Sequence, residues 1–270
     1  MKINELNFFQ KNGYVLIKNF YKKKEIAKLK SSIFKLSEKI FIKKYKKKIY
    51  FKKKKFDSYI NYSVKKKLKF HSKFYEVVKK IYVFNELLIN SKIKKILKNI
   101  FKTSNFGMMN KAYGFRFDYP RNKKFLTQLH QEYTSNLGCS EGVVCISSLN
   151  KIKLSSGPIE VFPKTHKLGI LPIKILKINT ITKSRKFVLK DEKKFNNLPS
   201  KKIMMNETDM LILNFLTLHK SNYNFSKKTR ITFLARFINF NTGTGAKIFY
   251  SDGQQGGIYF NDIHPELVVN

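Results

Sequence analysis

From Phe106 onward the chain is a succession of short apolar runs cut by turns: AYGFRFDYP, TQLHQEYT, GVVCISSLN, PIEVFPKTHK, KKIMMN, DMLILNFLTLH and RITFLARFINF. Runs of this length, rich in Val, Ile, Phe and Thr, read as strands rather than helices. A parallel sheet needs a crossover, usually a helix, between strands, and no helical pattern separates these. What remains is antiparallel pairing in a sandwich or barrel. The expectation is a mainly β chain with helices, α+β in class, built on a jelly-roll (a double-stranded β-helix) over residues 106–240.

The first 105 residues have a different texture. FFQKNGYVLIKNF reads as a short helix, a turn at Gly13 and a strand. Ile26, Leu29, Ile33 and Leu36 then recur at helical spacing, and FNELLINSKIKKILKNIF suggests one further helix over 83–100. Between them, from Lys43 to Lys80, runs of lysine with weak periodicity fit a variable surface region or an active-site flap. With a C-terminal extension over 241–270 and no internal repeat, residues 1–270 read as a single domain whose N-terminal helices, within 1–105, pack outside the jelly-roll.

The 56 basic residues outnumber the 17 acidic ones, for a net charge of +39. Such an excess ordinarily points to nucleic acid or an anionic membrane surface. Here only Arg116, Arg121, Arg185, Arg230 and Arg236 are arginine; the rest is lysine, and 31 of the lysines precede residue 111. Nucleic-acid readers draw on arginine's planar fork. Lysine accompanied by much Ile, Asn, Phe and Tyr therefore reads first as AT-rich coding and only second as an anionic partner. Cys139 and Cys145 form no CxxC pair, and no apolar run approaches the ~18 residues that span a bilayer. A cytoplasmic protein without a membrane span is expected.

TQLHQEYTSN sets His130 and Glu132 two residues apart, which on a strand would place imidazole and carboxylate on one face. A 2-His-1-carboxylate triad needs one more histidine and leaves the opposite coordination positions open. His219 ends the apolar run that follows Asp209, and jelly-roll strands distant in sequence can lie side by side. Arg230 opens RITFLARF, whose alternate residues Arg230, Thr232, Leu234 and Arg236 share a face. A guanidinium in a barrel mouth is costly without an anion. A dicarboxylate that chelates the metal at one end and meets Arg230 at the other supplies one.

HQE at His130 to Glu132, SSGPIEVFPKTHKLG at Ser155 to Gly169, HKSNYNFSKKTR at His219 to Arg230 and the NGYVLIKNF opening together resemble the phytanoyl-CoA dioxygenase family of Fe(II)- and 2-oxoglutarate-dependent oxygenases, over most of the chain. The resemblance implies a cupin-like jelly-roll, with Fe(II) and 2-oxoglutarate as cofactor and cosubstrate. It also implies His130, Glu132 and His219 as iron ligands, Arg230 on the distal carboxylate of 2-oxoglutarate, and Ser221 assisting it. Dioxygen would be consumed and a small-molecule, lipid or sugar-linked substrate hydroxylated. Three departures stand out: HQE replaces HxD, PKTH replaces PGSH, and the chain has no tryptophan, Ser147 and Ser148 occupying the region where the family often has one. If Glu132 ligates, halogenation is excluded, because a halide normally takes the carboxylate's place.

Gln128 and Thr232 are expected to line the same pocket as binding residues. Asp118 is expected to cap a turn, with an Arg116 salt bridge beside it, and His166 to stabilise the PKTHK turn; His71 and His264 read as surface or structural residues. Lysines around the mouth would steer an anionic substrate. Two alternatives use the same residues differently: a basic nucleic-acid or glycan-binding protein on a vestigial dioxygenase fold, and a cupin-type metalloenzyme that does not use 2-oxoglutarate and so has no need of Arg230.

Overall fold

Helix α1 (Ile3–Asn12) ends on Gly13, at φ 80°, whose N–H closes on Phe9 O. Only glycine fits this corner, because a Cβ would lie 2.3 Å from Thr217 Oγ1 and 2.5 Å from His166 Nδ1. The turn launches β1 (Tyr14–Ile17), followed by α2 (Lys23–Tyr45), α3 (Phe70–Val78), α4 (Tyr82–Leu88) and α5 (Ser91–Phe101). The helix expected over 83–100 is thus two helices. Asn90 separates them: its side chain accepts from the backbone N–H groups of Lys92 and Ile93 and caps α5. This computed structural model describes residues 1–45, 62, 70–123, 126–178, 185–195 and 197–269, so most of the lysine-rich stretch lies outside the described residues.

The later strands are β2 (Phe106–Met108), β3 (Gly114–Asp118), β4 (Val143–Ser148), β5 (Ile159–Val161), β6 (Ile173–Ile178), β7 (Arg185–Leu189), β8 (Lys201–Ile203), β9 (Met210–Asn214), β10 (His219–Ser221), β11 (Arg230–Asn239) and β12 (Val268–Val269). A single helical turn, α6 (Tyr133–Asn136), precedes β4. Among the described residues the strands form a six-stranded sheet ordered β1-β9-β4-β11-β2 with β3 also on β11, and two three-stranded sheets, β10-β5-β8 and β12-β6-β7. Among the described strands, β12 with β6 is the one parallel pair. This is the mainly antiparallel α+β class that the strand texture predicts.

The faces of β11 explain where the site forms. Ile231, Phe233, Ala235 and Phe237 pack with Ile26, Leu29 and Ile33 of α2 in one core. Arg230, Thr232, Leu234 and Arg236 line a cavity on the other face. Strand β4 is apolar on both faces from Val143 to Ile146 because it is buried on both, Val143 and Cys145 in the core that holds the helices and Val144 and Ile146 in a second core with Leu211, Leu213 and Leu218. Truncating a fully buried anchor such as Leu29 to Ala would cost about 2–5 kcal/mol.

DMLILNFLTLH is not one strand. Strand β9 ends at Asn214, whose Oδ1 accepts from Leu216 N, and Thr217 Oγ1 donates to Gly13 O. The chain turns through Phe215 to Leu218 and enters the smaller sheet at His219. The corner delivers His219 to the cavity from the wall opposite the large sheet.

Candidate active site

His130 and Glu132 do not share a strand face as their spacing suggests. His130 makes an isolated bridge with His219, each backbone N–H donating to the other's carbonyl at 3.1 Å. Glu132 has helical backbone (φ −62°, ψ −36°) at the start of α6. A helical turn, not the pleat of a strand, brings its carboxylate back toward the histidines. One ligand atom from each of His130, Glu132 and His219 falls within 4.8 Å of the others, with Glu132 Oε2 3.5 Å from His219 Nε2.

Backbone carbonyls fix both imidazoles. His130 Nδ1 donates to Gln128 O at 2.9 Å, and His219 Nδ1 to Thr217 O at 3.0 Å. A carbonyl only accepts, so Nδ1 carries a proton in each ring and Nε2 is the nitrogen left to the site. Burial, reinforced by the facing His219, pushes the His130 pKa down to about 3, so that ring is neutral at ordinary pH. Burial works against ionisation of Glu132, but Arg236 and the two histidines outweigh it and hold the carboxyl well below the usual range. Two imidazoles and an ionised carboxylate are a donor set that suits a divalent first-row metal with open positions.

Glu132 is held from behind. Its Oε1 accepts from Arg236 Nε at 3.0 Å, Arg236 Nη2 at 2.7 Å and Asn136 Nδ2 at 2.7 Å. Arg236 Nη1 donates to Ala112 O at 2.7 Å. Sequence spacing places Arg236 on the correct face of its strand but gives it no role, since its partner lies 104 residues away.

At the opposite end of β11, strand register sets Arg230 across from Asp118. Arg230, 2% exposed, donates to Asp118 Oδ2 from Nε at 3.1 Å and from Nη2 at 2.8 Å. Arg116 donates to Asp118 Oδ1 from Nε at 3.0 Å and Nη2 at 2.9 Å. The expected Arg116 pairing is present, but Asp118 is no mere turn cap: one carboxylate serves two guanidiniums. Arg230 Nη1 is buried with no hydrogen-bond partner among the described residues. Burial lowers the Arg230 pKa, Asp118 opposes that and Arg116 adds to it, yet a guanidinium stays charged at ordinary pH. An excess cation and an orphaned donor fit an incoming carboxylate.

Ser221 meets this end through Arg116 rather than Arg230: its Oγ accepts from Arg116 Nη2 at 3.1 Å and from Thr127 N at 2.7 Å. Gln128, His130, Glu132, His219, Ser221, Arg230 and Thr232 all line one cavity of about 760 Å³. A second cavity, of about 440 Å³, meets it at Ser135, Leu234 and Arg236. His166 stands elsewhere, with Nε2 on Gln10 O at 3.0 Å, tying its loop to α1. His264 contacts Tyr133 Oη and Glu266, and the His71 side chain lies outside the described residues.

A family model described as phytanoyl-CoA dioxygenase (PhyH) matches residues 9–232. A search of curated proteins finds no match. Among solved structures, the chain is similar to EvdO2 from Micromonospora carbonacea var. aurantiaca complexed with 2-oxoglutarate, at 13% identity and TM-score 0.57 over 88% of this chain and 90% of that one. It is also similar to EctD from S. alaskensis with 2-oxoglutarate and 5-hydroxyectoine, at 9% identity and TM-score 0.60 over 88% and 76%. A third is the epimerase SnoN in complex with Fe3+, alpha ketoglutarate and nogalamycin RO, at 10% identity and TM-score 0.56 over 87% and 82%. At these identities the likeness is one of fold. No helix among the described residues is long and apolar enough to cross a membrane.

Proposed function

The chain belongs to the phytanoyl-CoA dioxygenase family, and from that premise we propose that His130, Glu132 and His219 hold Fe(II) while Arg230 binds the distal carboxylate of 2-oxoglutarate. The protein is a 2-oxoglutarate-dependent iron oxygenase. Bound iron would supply oxidation of an unactivated C–H bond by dioxygen, one oxygen atom entering the substrate and the other entering succinate as the cosubstrate loses carbon dioxide. The observation that carries the residue assignment is the buried Nη1 of Arg230, which has no partner among the described residues and lies in the same cavity as the triad. A cupin-type metalloenzyme without 2-oxoglutarate has no use for that cation, and a basic binding module has no use for the triad.

Each residue has a defined task on this reading. The Nδ1–H bonds of His130 and His219 keep both Nε2 atoms turned to the metal. Arg116 is held by donating from Nη1 to Thr127 Oγ1 and from Nη2 to Ser221 Oγ, Arg116 and Arg230 share Asp118, and Gln128 and Thr232 form the walls around the cosubstrate. A small-molecule substrate is hydroxylated, reaching the metal from the side of the second cavity, past Arg236. Lys123, Lys186 and Lys220 on the first cavity favour an anionic group. A double-stranded β-helix within one domain over 1–270 is supported by β1, which joins the large sheet through β9. Two free, buried cysteines suit a reducing cytoplasm.

The deciding experiment is anaerobic addition of Fe(II) and then 2-oxoglutarate, reading the visible charge-transfer band of the chelate. The band is expected in the natural protein, to weaken in Arg230→Ala and to vanish in His219→Ala. Iron binding without a band would overturn the 2-oxoglutarate assignment, and no iron binding would overturn the triad.

A further inference from the structure

We infer that Arg236 is a positioning residue that restricts Glu132 to a single donor oxygen and so keeps one metal coordination position open. The inference rests on the metal-binding reading above. Three N–H groups reach Glu132 Oε1, two from Arg236 and one from Asn136, at 2.7 to 3.0 Å. A carboxylate oxygen offers two lone pairs, so this oxygen is fully subscribed. Oε2 is the oxygen that faces the histidines, 3.5 Å from His219 Nε2.

Arg236 has little freedom to swing aside. Its Nη1 donates to Ala112 O, its carbonyl accepts from Met109 N at 2.9 Å, and its side chain is 16% exposed on a strand paired along both edges. Asn136, one turn along α6 from Glu132, donates to both the backbone carbonyl and Oε1 of that residue. The clamp is therefore built from two independent elements, β11 and α6.

Glutamate needs such a clamp for a geometric reason. Its additional methylene lets the carboxylate turn both oxygens onto a cation, and unrestrained carboxylates bind metals in either one- or two-oxygen fashion. On a six-coordinate metal, two imidazoles and a two-oxygen carboxylate leave two positions, which the keto and carboxylate oxygens of 2-oxoglutarate would fill. With one oxygen committed, three positions remain. Arg236 thus bears on whether the loaded site has room left after the cosubstrate binds.

The test counts metal-bound water, using Mn(II) as the probe and the line broadening of its electron paramagnetic resonance in oxygen-17 water. It compares the natural protein with Arg236→Gln, Arg236→Lys, Asn136→Ala and His219→Ala, without cosubstrate. Three waters are expected in the natural protein and in Asn136→Ala, which leaves two donors on Oε1, against two in Arg236→Gln and Arg236→Lys. Three waters in either Arg236 variant, with an unchanged thermal melt, would overturn the inference. If Arg236→Gln fails to fold, Arg236→Lys decides alone. If His219→Ala binds Mn(II) as tightly as the natural protein, the metal-site reading itself fails, an outcome distinct from failure of the clamp.

Discussion

Arg230 and Arg236 stand six residues apart on one face of one strand, and each meets a buried carboxylate. Their hydrogen-bond accounts differ. Arg236 commits Nε and Nη2 to Glu132 and Nη1 to a main-chain carbonyl. Arg230 commits Nε and Nη2 to Asp118, which it shares with Arg116, and leaves Nη1 buried without a partner among the described residues. A buried donor left unpaired costs about 1–3 kcal/mol, a penalty that a bound carboxylate would offset. The arginine with every group engaged shapes the protein. The one with a group to spare has a donor to offer a ligand.

The largest effect should come from deleting the second of these. Arg230→Ala is expected to weaken 2-oxoglutarate binding by about 10²–10³-fold, the range for truncating one side of a buried charge-assisted pair, and to leave metal affinity within about threefold. Anaerobic calorimetry with metal and then cosubstrate separates the two. Equal losses of both would mean that the ends of the strand do not act independently, and the comparison would fail.

Asp118→Asn probes the same end from the protein's side. It leaves two guanidiniums facing each other with no anion, and breaking a buried pair in this way should destabilise the unliganded protein by about 3 kcal/mol in urea unfolding. Metal affinity at the Arg236 end should not move. Unchanged stability would mean that solvent reaches Asp118 freely, and that Arg230 is less desolvated than its 2% exposure implies.

How much of this could be read in advance divides along the same line. That His130, Glu132, His219 and Arg230 come together at one cavity was legible because each sits in a short motif whose residue types suit one chemistry. The Asp118 bridge and the Arg236–Glu132 contact were not, because the first depends on a strand register and the second on a helical turn packing beside β11, each joining residues more than a hundred positions apart. Glu132 was legible as a donor but not in its conformation, since HQE has the same spacing whether a strand or a helical turn carries it. The break at Asn90 was signalled locally, by an Asn-Ser cap inside an otherwise helical pattern, and the apolar periodicity masked it. Likewise the run from Met210 to Leu218 is mostly apolar, with only Asn214 and Thr217 to mark the corner between the two sheets, and so it reads as one strand.

Glu160, on β5, sharpens the contrast as a carboxylate held chiefly by neutral donors. Burial tends to raise its pKa, but hydrogen bonds from Ser200 at 2.6 Å and Asn222 at 3.1 Å, with Lys220 at 3.9 Å, bring it below the ordinary 4.5. A carboxyl whose folded pKa is depressed stabilises the fold fully above its unfolded pKa, and that contribution fades as pH falls through the folded value. Glu160→Gln should therefore flatten the acid limb of the stability curve below about pH 4.5 while leaving 2-oxoglutarate affinity at neutral pH unchanged. An acid limb identical to that of the natural protein would show that the acid sensitivity lies with Glu132, whose carboxyl is also held low, and not with Glu160.

The smallest expected effect tests whether every strained or unsatisfied feature here serves the site. Lys164 holds a left-handed backbone, φ 69°, in the PKTH turn where the family motif carries glycine. An L-residue in that region costs about 1–2 kcal/mol, and glycine's greater freedom in the unfolded chain returns part of any gain. Lys164→Gly should therefore raise stability by about 0.5–1 kcal/mol in chemical denaturation. Lys164 is exposed and lies outside the residues lining the metal cavity, so metal and cosubstrate affinities should stay as they were. A gain in stability with a loss of 2-oxoglutarate binding would put Lys164 in the same category as Arg230, a cost retained for a ligand. A gain without such a loss would mark it as strain that the site does not use, and would confine that category to the Arg230 end of the strand.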